Sequence, residues 1–287
     1  MADVLNVVNK KPANAGGKEK GEKISENLAL VQNIFVVMSG KGGVGKSTVA
    51  AALAAGLALR GNHVGLADCD FHGPTIPAIF GMTGENLSVI DNKMIPVRPA
   101  ENVHLGIISI GLLLPDDDMP VIWRGPAKTS AIHQFFEDVD WGNLDYLIID
   151  LPPGTGDEPL GIVQLIKNLT GAVVVTIPQD VALASVRKSL TFLQKVDVEP
   201  VGIVSNMDGI VCPHCDEKIA LFGAEGVQKA AKDFNTTVLA QLPLDPEFSK
   251  AQEDGKMLEW MMKDSVWKTN FEKVLDAVEK KAKEKKP

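Results

Sequence analysis

Cysteine, arginine and long apolar runs are all scarce in this chain. It has three cysteines among 287 residues, too few for the disulfide framework of a small secreted scaffold. No uncharged apolar run approaches the roughly 18 residues that a membrane-spanning helix needs. The first residues contain no long apolar segment of the kind found in secretory signals. We therefore expect a cytoplasmic protein, in which thiols serve more often as ligands or redox groups than as crosslinks.

Basic side chains are outnumbered, and most of them are lysine. Acidic residues number 37 against 29 basic ones, which gives a net charge of −8. The only arginines are Arg60, Arg98, Arg124 and Arg187. This balance argues against general nucleic-acid binding, because phosphate backbones attract basic surfaces. Hydrophobic residues make up 45% of the chain, which is enough for a large core and is not typical of a disordered chain.

Apolar runs alternate with helical patterns along most of the chain. Several runs are continuous rather than alternating, which is typical of strands that helices cover on both faces. The predicted strands are Ile34–Met38, Val64–Ala67, Leu105–Ser109, Tyr146–Ile149, Val173–Ile177 and Val201–Val204. Helical patterns include Lys46–Arg60, ended by Gly61, and Val181–Lys195. The alternation predicts an α/β fold with a doubly wound, mostly parallel sheet and helices on both faces.

The two ends of the chain differ from the middle. Residues 1–25 are polar and rich in lysine, glycine and asparagine, which predicts a flexible tail. Residues 26–287 are expected to form one domain, because no internal linker or repeat is evident. Its last segment has apolar residues at helical spacing from Val266 to Val278 and a basic end. Such a helix could bind a membrane surface, but docking on its own domain is favoured, because tryptophan and β-branched residues suit core packing.

A glycine-rich segment follows the first predicted strand. Its sequence, SGKGGVGKST at 39–48, has P-loop spacing, in which glycines turn backbone N–H groups toward a phosphate at a helix N-terminus. Lys46 is expected to reach the β- and γ-phosphates, and Ser47 to ligate Mg²⁺. Lys41 would add positive charge where phosphate charge develops during transfer. The alternatives are a glycine turn without a ligand and a solvated lysine. The candidate nucleotide-binding residues here are Gly40, Lys41, Gly42, Gly43, Val44, Gly45, Lys46, Ser47 and Thr48.

Aspartates follow two of the predicted strands. Asp68 and Asp70 come after the strand Val64–Ala67, and Asp150 closes the strand Tyr146–Ile149. A carboxylate at the end of an apolar strand is costly to bury unless it is paired or bound to a metal. Ligands of such sheets bind at the carboxyl ends of the strands. We interpret Asp150 as the Walker B carboxylate, and Asp68 and Asp70 as candidates for the Mg²⁺ shell and for orienting the attacking water. Each could instead be a helix cap or turn residue.

Two of the three cysteines form a close pair, Cys212-Pro213-His214-Cys215. Thiolates at this spacing can chelate a soft metal, but zinc sites and iron–sulfur clusters usually take four ligands. Two pairs would meet in a two-fold symmetric dimer. A redox dithiol and a structural zinc site remain open as alternatives. Cys69 is a poor third ligand, because it lies in the segment of the predicted nucleotide site.

Together these segments resemble the Mrp/ApbC (Nbp-type) branch of the MinD-like P-loop ATPases, which are iron–sulfur cluster carriers. The resemblance covers residues 30–255. Its matching segments are SGKGGVGKST at 39–48, DCDFHGPT at 68–75, WRGPAKTSAIHQF at 123–135, DYLIIDLPPGTGD at 145–157, TIPQDVAL at 176–183, GIVSNM at 202–207, CPHC at 212–215 and LPLDP at 242–246. Their shared order along the chain makes chance similarity negligible.

The resemblance implies roles for the nucleotide-site residues. Such proteins are homodimers that bind ATP with Mg²⁺ and hydrolyse it slowly. Lys41 matches the signature lysine that reaches a phosphate across the dimer interface, and Asp70 matches the aspartate that orients water. Asn206 matches the asparagine that contacts the base, and Pro243 and Asp245 match a segment near the adenine.

The resemblance also implies a role for the cysteine pair. Cys212 and Cys215 match the pair that bridges a labile 4Fe-4S cluster between subunits, from which the cluster passes to apo-proteins. Expected partners are therefore a second copy, apo iron–sulfur client proteins and assembly scaffolds, without nucleic acid or membrane. Relatives often have alanine where this chain has Cys69, which is consequently expected to be a small buried residue.

Two other functions remain as alternatives. A MinD/ParA-type positioning ATPase would share the P-loop but would have no need for the cysteine pair. A zinc-bridged scaffold that binds nucleotide would use the pair for structure alone. For the carrier we expect nucleotide occupancy to change the contacts between subunits and, through them, the affinity for the cluster.

Overall fold

The computed structural model of the chain describes residues 17–71, 73–113, 125–212, 214–215, 217–223 and 225–284. Within them, seven parallel strands form one sheet in the order β11-β8-β7-β1-β6-β2-β5. The strands are β1 (Val31–Met38), β2 (Val64–Asp68), β3 (Ser88–Ile90), β4 (Lys93–Ile95), β5 (Leu105–Ser109), β6 (Leu144–Asp150), β7 (Gly171–Thr176), β8 (Pro200–Ser205), β9 (Ile210–Val211), β10 (Lys218–Ile219) and β11 (Val238–Gln241). Two short antiparallel pairs, β3 with β4 and β9 with β10, lie outside the sheet.

Helices connect the parallel strands. They are α1 (Gly17–Asn27), α2 (Lys46–Leu59), α3 (Ile76–Ile79), α4 (Gly125–Glu137), α5 (Asp157–Leu165), α6 (Asp180–Lys195), α7 (Glu225–Asp233), α8 (Pro246–Glu253), α9 (Met257–Met261) and α10 (Val266–Glu284), with a 3₁₀ turn at Ile110–Leu113. Every residue of β2 and β7 is buried, as expected for central strands with helices over both faces. The predicted α/β fold is confirmed.

The register of the central strands brings the polar residues at their ends together. Asp68 at the end of β2 lies opposite Asp150 of β6 on one side and Ser109 of β5 on the other. Val37, one residue before the end of β1, lies opposite Asp150. The loop after β1 therefore begins beside both aspartates, at the carboxyl edge where ligands of such sheets bind.

The N-terminal segment differs from the predicted flexible tail. Residues 17–25 belong to α1, which contacts α4. Ile24 is buried, with 1% of its surface exposed, and Asn27 Nδ2 donates to the carbonyl oxygens of Phe136 and Val139 at 3.0 and 2.8 Å. The prediction of a flexible tail is therefore wrong for residues 17–25. The buried side chain of Ile24 and the amide of Asn27 anchor a helix that is otherwise rich in lysine. Residues 1–16 lie outside the described residues.

The C-terminal helix docks on its own domain. α10 contacts β11, β8 and α2, and its apolar face is buried, including Trp267, Phe271 and Leu275. Trp267 stacks with Phe271 and meets Phe248 at a ring-centroid distance of 4.2 Å. The apolar spacing of this segment is thus satisfied by core packing, as the sequence favoured. Among the described residues, no helix combines the length and the hydrophobicity needed to cross a membrane.

Candidate functional site

The loop between β1 and α2 turns sharply through left-handed backbone. Gly43 and Gly45 have φ angles of 76° and 80°, which glycine adopts readily. Gly40 is needed for a different reason, because a Cβ there would lie 2.5 Å from the carbonyl carbon of Ser185 on α6. A Cβ on Gly45 would clash with Asn206 Nδ2. Glycine therefore allows both the turn and the close approach of two neighbouring elements.

The lysine and serine at the start of α2 meet the aspartate that ends β6. Lys46 Nζ donates to Asp150 Oδ1 at 2.7 Å, and Ser47 Oγ donates to Asp150 Oδ2 at 2.5 Å. Asp70 Oδ2 lies 4.0 Å from the same lysine nitrogen. Lys46 and Asp150 are both buried, so water hardly screens their attraction. The structure thus brings four of the sequence-predicted residues together at the carboxyl edge of the sheet, Lys46, Ser47, Asp70 and Asp150. We call this group, with Asp68 beside it, the acidic corner.

Asp68 completes this acidic corner. It is buried, accepts a hydrogen bond from Ser109 Oγ at 2.8 Å, and accepts another from the N–H of Asp70 at 3.2 Å. Burial, followed by the charge of Asp150, raises the pKa of Asp68 to about 7. Burial also raises the pKa of Asp150 against the opposing effect of Lys46. Both pKa values are raised chiefly because burial disfavours the charged carboxylates, and a cation bound beside them would stabilise those charged forms. Sequence reasoning missed Ser109, an ordinary strand residue with no motif around it.

Lys41 lies on the phosphate loop and is partly exposed. Its carbonyl oxygen accepts a hydrogen bond from Ser39 Oγ at 2.9 Å. This bond holds the loop backbone in place at Lys41. The described contacts place Lys46, and not Lys41, against the aspartates.

A cavity of about 300 Å³ opens beside the start of α2. It brings together four predicted residues, Thr48, Asn206, Pro243 and Asp245. Residues that sequence reasoning missed also line it, among them Met207, Leu244, Phe248, Gln252 and Trp267. The aromatic residues come from α8 and α10, whose approach to the phosphate loop has no signal in a local motif. The lining combines apolar and aromatic side chains with polar ones, including Ser249 and Glu253, and such a mixture can hold a planar base and fix its orientation through hydrogen bonds.

Two hydrogen bonds tie the walls of this cavity to the phosphate loop. Asn206 Nδ2 donates to the carbonyl oxygen of Val44 at 3.0 Å, and Thr48 Oγ1 donates to Gln252 Oε1 at 2.7 Å. Asp245 caps α8, because its Oδ1 accepts from the N–H groups of Glu247 and Phe248 at 2.9 and 3.1 Å. Its carboxylate therefore has a structural partner in addition to its place in the cavity wall.

The cysteine pair lies where β9 and β10 are joined. These two strands form an antiparallel hairpin in which Val211 pairs with Lys218. The N–H of Cys212 donates to the carbonyl oxygen of Glu217 at 3.0 Å, which closes the tip. Cys215 is exposed and Cys212 is partly exposed. In the part of the chain that the structure describes, no three Cys, His, Asp or Glu side chains are grouped so as to hold a metal ion.

Cys69 lies apart from this pair, buried directly after β2. Its N–H donates to the carbonyl oxygen of Asp150 at 3.0 Å. Burial, followed by the charges of Asp68 and Asp150, raises the pKa of the Cys69 thiol well above its ordinary value. A thiol in such surroundings stays protonated and inert, in agreement with its interpretation as a small buried residue.

A phosphate loop on the central strand of a parallel sheet, with a strand-end aspartate against its lysine, defines the class of P-loop nucleotide-binding proteins. The chain belongs more particularly to the ParA family described as NUBPL iron-transfer P-loop NTPase, whose model matches residues 30–279. The similarity stated from the motifs is thereby confirmed.

Curated relatives cover most of the chain. A protein of Methanocaldococcus jannaschii named iron-sulfur cluster carrier protein is 41% identical over 268 residues, which are 93% of this chain and 91% of that protein. A Trichoplax adhaerens protein named cytosolic Fe-S cluster assembly factor NUBP2 homolog is 46% identical over 228 residues, covering 79% and 86%.

Solved structures share the fold. An Archaeoglobus fulgidus nucleotide-binding protein in complex with ADP superposes with a TM-score of 0.76 at 37% identity, over 86% of this chain and 95% of that one. The Pyrococcus furiosus cell division ATPase MinD superposes with a TM-score of 0.61 at 21% identity, over 87% and 99%. The second likeness concerns the fold alone.

Proposed function

We propose that this protein is a homodimeric ATPase that holds a labile 4Fe-4S cluster between its subunits and passes it to apo-proteins. The observation that supports this proposal best is the pair Cys212 and Cys215 at a hairpin tip, where Cys215 is exposed and Cys212 is partly exposed. It belongs to a chain whose family is described as iron-transfer NTPases. Relatives named as iron–sulfur cluster carriers support the same cargo.

The count of ligands supports a second copy. One chain offers two neighbouring thiols, while a 4Fe-4S cluster takes four, and two-fold symmetry would bring two pairs together. The surface next to the hairpin is suited to such a contact. Ile219, Leu221 and Phe222 are 51%, 42% and 38% exposed, and exposed apolar side chains grouped in this way are typical of protein interfaces.

The nucleotide would bind along the phosphate loop. Lys46 would contact the β- and γ-phosphates, and the N–H groups of residues 40–48 would surround them. Asn206, Pro243 and Asp245 would lie around the base in the adjoining cavity. The family and the ADP complex of the Archaeoglobus fulgidus relative support this placement.

The acidic corner fits Mg²⁺. The hydroxyl of Ser47 and the carboxylates of Asp150 and Asp68 are hard oxygen donors of the kind this ion prefers, and both carboxylates are buried, where a cation would stabilise their charged forms. When bound, Mg²⁺ would neutralise charge on the phosphates. We assign Asp70 to orienting the attacking water, and Lys41 to a phosphate contact across the dimer interface.

Cluster transfer would be a ligand exchange. Thiols of Cys212 and Cys215 lose their protons when they bind iron, and thiolates of the apo-protein replace them as ligands during transfer, with no net change in oxidation state. An exposed hairpin tip allows the incoming thiolates to approach. Relatives named cytosolic assembly factors support a cytoplasmic location with client proteins and assembly scaffolds as partners.

Iron and acid-labile sulfide content, measured after anaerobic reconstitution, tests the proposal. We expect four irons and four sulfides per dimer, as the proposed 4Fe-4S stoichiometry requires, together with absorption in the visible. Cys212→Ala or Cys215→Ala should abolish loading and leave ATP hydrolysis largely intact, whereas Cys69→Ala is the matched control and should load normally.

Three results would contradict the carrier function. Colourless protein that retains zinc through reconstitution would indicate a zinc-bridged scaffold. Full iron loading of the Cys215→Ala variant would mean that the site is wrongly assigned. Vesicle or DNA binding that survives loss of both cysteines would favour a positioning ATPase.

A further inference from the structure

The segment that leaves β8 connects the base cavity directly to the cysteine hairpin. Asn206 and Met207 line the cavity, and β9 begins at Ile210. We call residues 206–209 the junction. Two of its residues have left-handed backbone, Met207 with a φ of 54° and Gly209 with a φ of 80°. A non-glycine residue in this region is uncommon and often has a functional reason.

The junction packs tightly on both sides. A Cβ on Gly209 would lie 2.6 Å from the carbonyl oxygen of Ile219 in β10, so glycine lets the return strand of the hairpin cross here. The N–H of Leu244 donates to the carbonyl oxygen of Gly209 at 2.8 Å, and Leu244 lines the base cavity. The backbone of the hairpin base and that of the cavity wall are thus hydrogen-bonded to each other.

Asp208 is the polar centre of the junction. It is 5% exposed and its carboxylate accepts three side-chain hydrogen bonds. Oδ2 accepts from Ser205 Oγ at 2.9 Å and from Gln241 Nε2 at 3.0 Å, which tie it to β8 and β11. Oδ1 accepts from Lys218 Nζ at 2.9 Å, and this lysine belongs to the hairpin. One buried carboxylate therefore joins the last two strands of the sheet to the strand that follows the cysteines.

The contact with Lys218 matters because the hairpin is not otherwise firmly packed on this side. A cavity of about 510 Å³ lies between the hairpin and β11, with Asp208, Lys218, Phe222 and Gln241 in its lining. The residues of 217–223 are exposed. A charge-assisted bond to a buried carboxylate is stronger than a neutral one, so it can fix the hairpin orientation where apolar burial does not.

We propose that Asp208, through Lys218, is a positioning residue that couples the base end of the nucleotide site to the cysteine hairpin. A base in the cavity would contact Asn206 and Met207, the two residues just before Asp208, and would reduce the mobility of the junction. Because Asp208 is bonded to Lys218, the mobility of the hairpin tip that carries the cysteines would fall as well. The inference builds on the proposed function, since it concerns how nucleotide binding acts on the cysteines that would carry the cluster.

Alkylation of the cysteines in reduced, cluster-free protein tests this coupling. The rate of modification of Cys212 and Cys215 by N-ethylmaleimide is followed by mass spectrometry with and without Mg-ATP. In the unaltered protein we expect ATP to slow modification at least three-fold. Lys218→Met should reduce the effect below 1.5-fold while ATP affinity changes less than two-fold, and Lys218→Arg should restore it.

Matched variants separate coupling from a general loss of structure. Asp208→Asn keeps the shape of the side chain but removes its charge, and it should lose the ATP effect as Lys218→Met does. Lys188→Met changes an exposed lysine on α6 and should retain it. A full ATP effect in Lys218→Met, or none in the unaltered protein, would refute the coupling. Because the assay contains no iron, either result is distinguishable from failure of the cluster-loading experiment.

Discussion

Substitution of Gly40 by alanine probes the contact between the phosphate loop and α6. An alanine Cβ would lie 2.5 Å from the carbonyl carbon of Ser185 and 2.8 Å from its Cβ, well inside the separation at which such atoms can rest. Backbone strain does not contribute, since Gly40 is absent from the residues with positive φ. The loop or the helix must therefore move, and overpacking of this kind costs about 1–3 kcal/mol.

A second glycine of the same loop provides the control. At Gly42 a Cβ would meet no atom within 4 Å, and its φ is also not positive. Gly42→Ala should consequently be neutral or stabilising by about 0.4–1 kcal/mol, because alanine restricts the unfolded chain. The same restriction of the unfolded chain also stabilises Gly40→Ala and offsets part of the overpacking cost. The net loss in the free energy of unfolding of Gly40→Ala should therefore be roughly 0–3 kcal/mol, and this variant should be less stable than the control.

Equilibrium urea unfolding of nucleotide-free protein, followed by circular dichroism, measures the difference. We expect the midpoint of Gly40→Ala to lie clearly below that of Gly42→Ala with a similar slope, since the slope reflects the surface exposed on unfolding. Equal midpoints would show that the loop can withdraw from Ser185 at no cost. The close approach would then not be the reason for glycine at this position.

Three further predictions concern charged and sulfur groups. Lys46→Ala should weaken ATP binding at least ten-fold in calorimetry, because it removes the cation at the phosphates and leaves Asp150 without its 2.7 Å partner; unchanged affinity would contradict this. The pKa of Asp68 is raised to about 7, so the folded state keeps a proton that the unfolded state releases near pH 4. The contribution of Asp68 to the free energy of unfolding of metal-free protein should therefore be largest below pH 4 and should fall by at most about 1.4 kcal/mol per pH unit up to pH 7. Asp68→Asn should make the free energy of unfolding less dependent on pH over this range. An unchanged pH dependence in the variant would exclude Asp68 as its source. Iodoacetamide should modify Cys212 and Cys215 in folded, reduced protein but Cys69 only after denaturation, because burial raises the pKa of that thiol; rapid modification of all three would refute its burial.

The central strands and the phosphate loop could be predicted because their signals are local. Continuous apolar runs indicated six of the seven strands to within a few residues. β11 was missed, because this edge strand is short and most of its residues are only partly buried, so it lacks the continuous pattern of a central strand. α1 was missed because Ile24 is its one deeply buried apolar residue among the side chains described.

The residues of the site also fall into two groups, those that a short sequence motif predicts and those that only the fold brings into place. Lys46, Ser47 and Asp150 stand in short motifs, and each motif requires a residue type for a chemical reason. Ser109, Gln252 and Asp208 stand in none. Their places depend on strand order and helix docking, which bring together residues up to 204 positions apart, as in the hydrogen bond between Thr48 and Gln252.

What the sequence by itself determined is the class of fold, the phosphate loop and the presence of a close cysteine pair. Those features follow from residue types at short spacing, where backbone geometry alone sets the outcome. Only the tertiary structure decided that Asp68 and Asp150 lie side by side, that residues of α8 and α10 line the cavity beside the phosphate loop, and that Asp208 accepts a hydrogen bond from Lys218 of the hairpin. Parallel strands pair across long connections, so the contacts between them depend on the topology of the whole sheet.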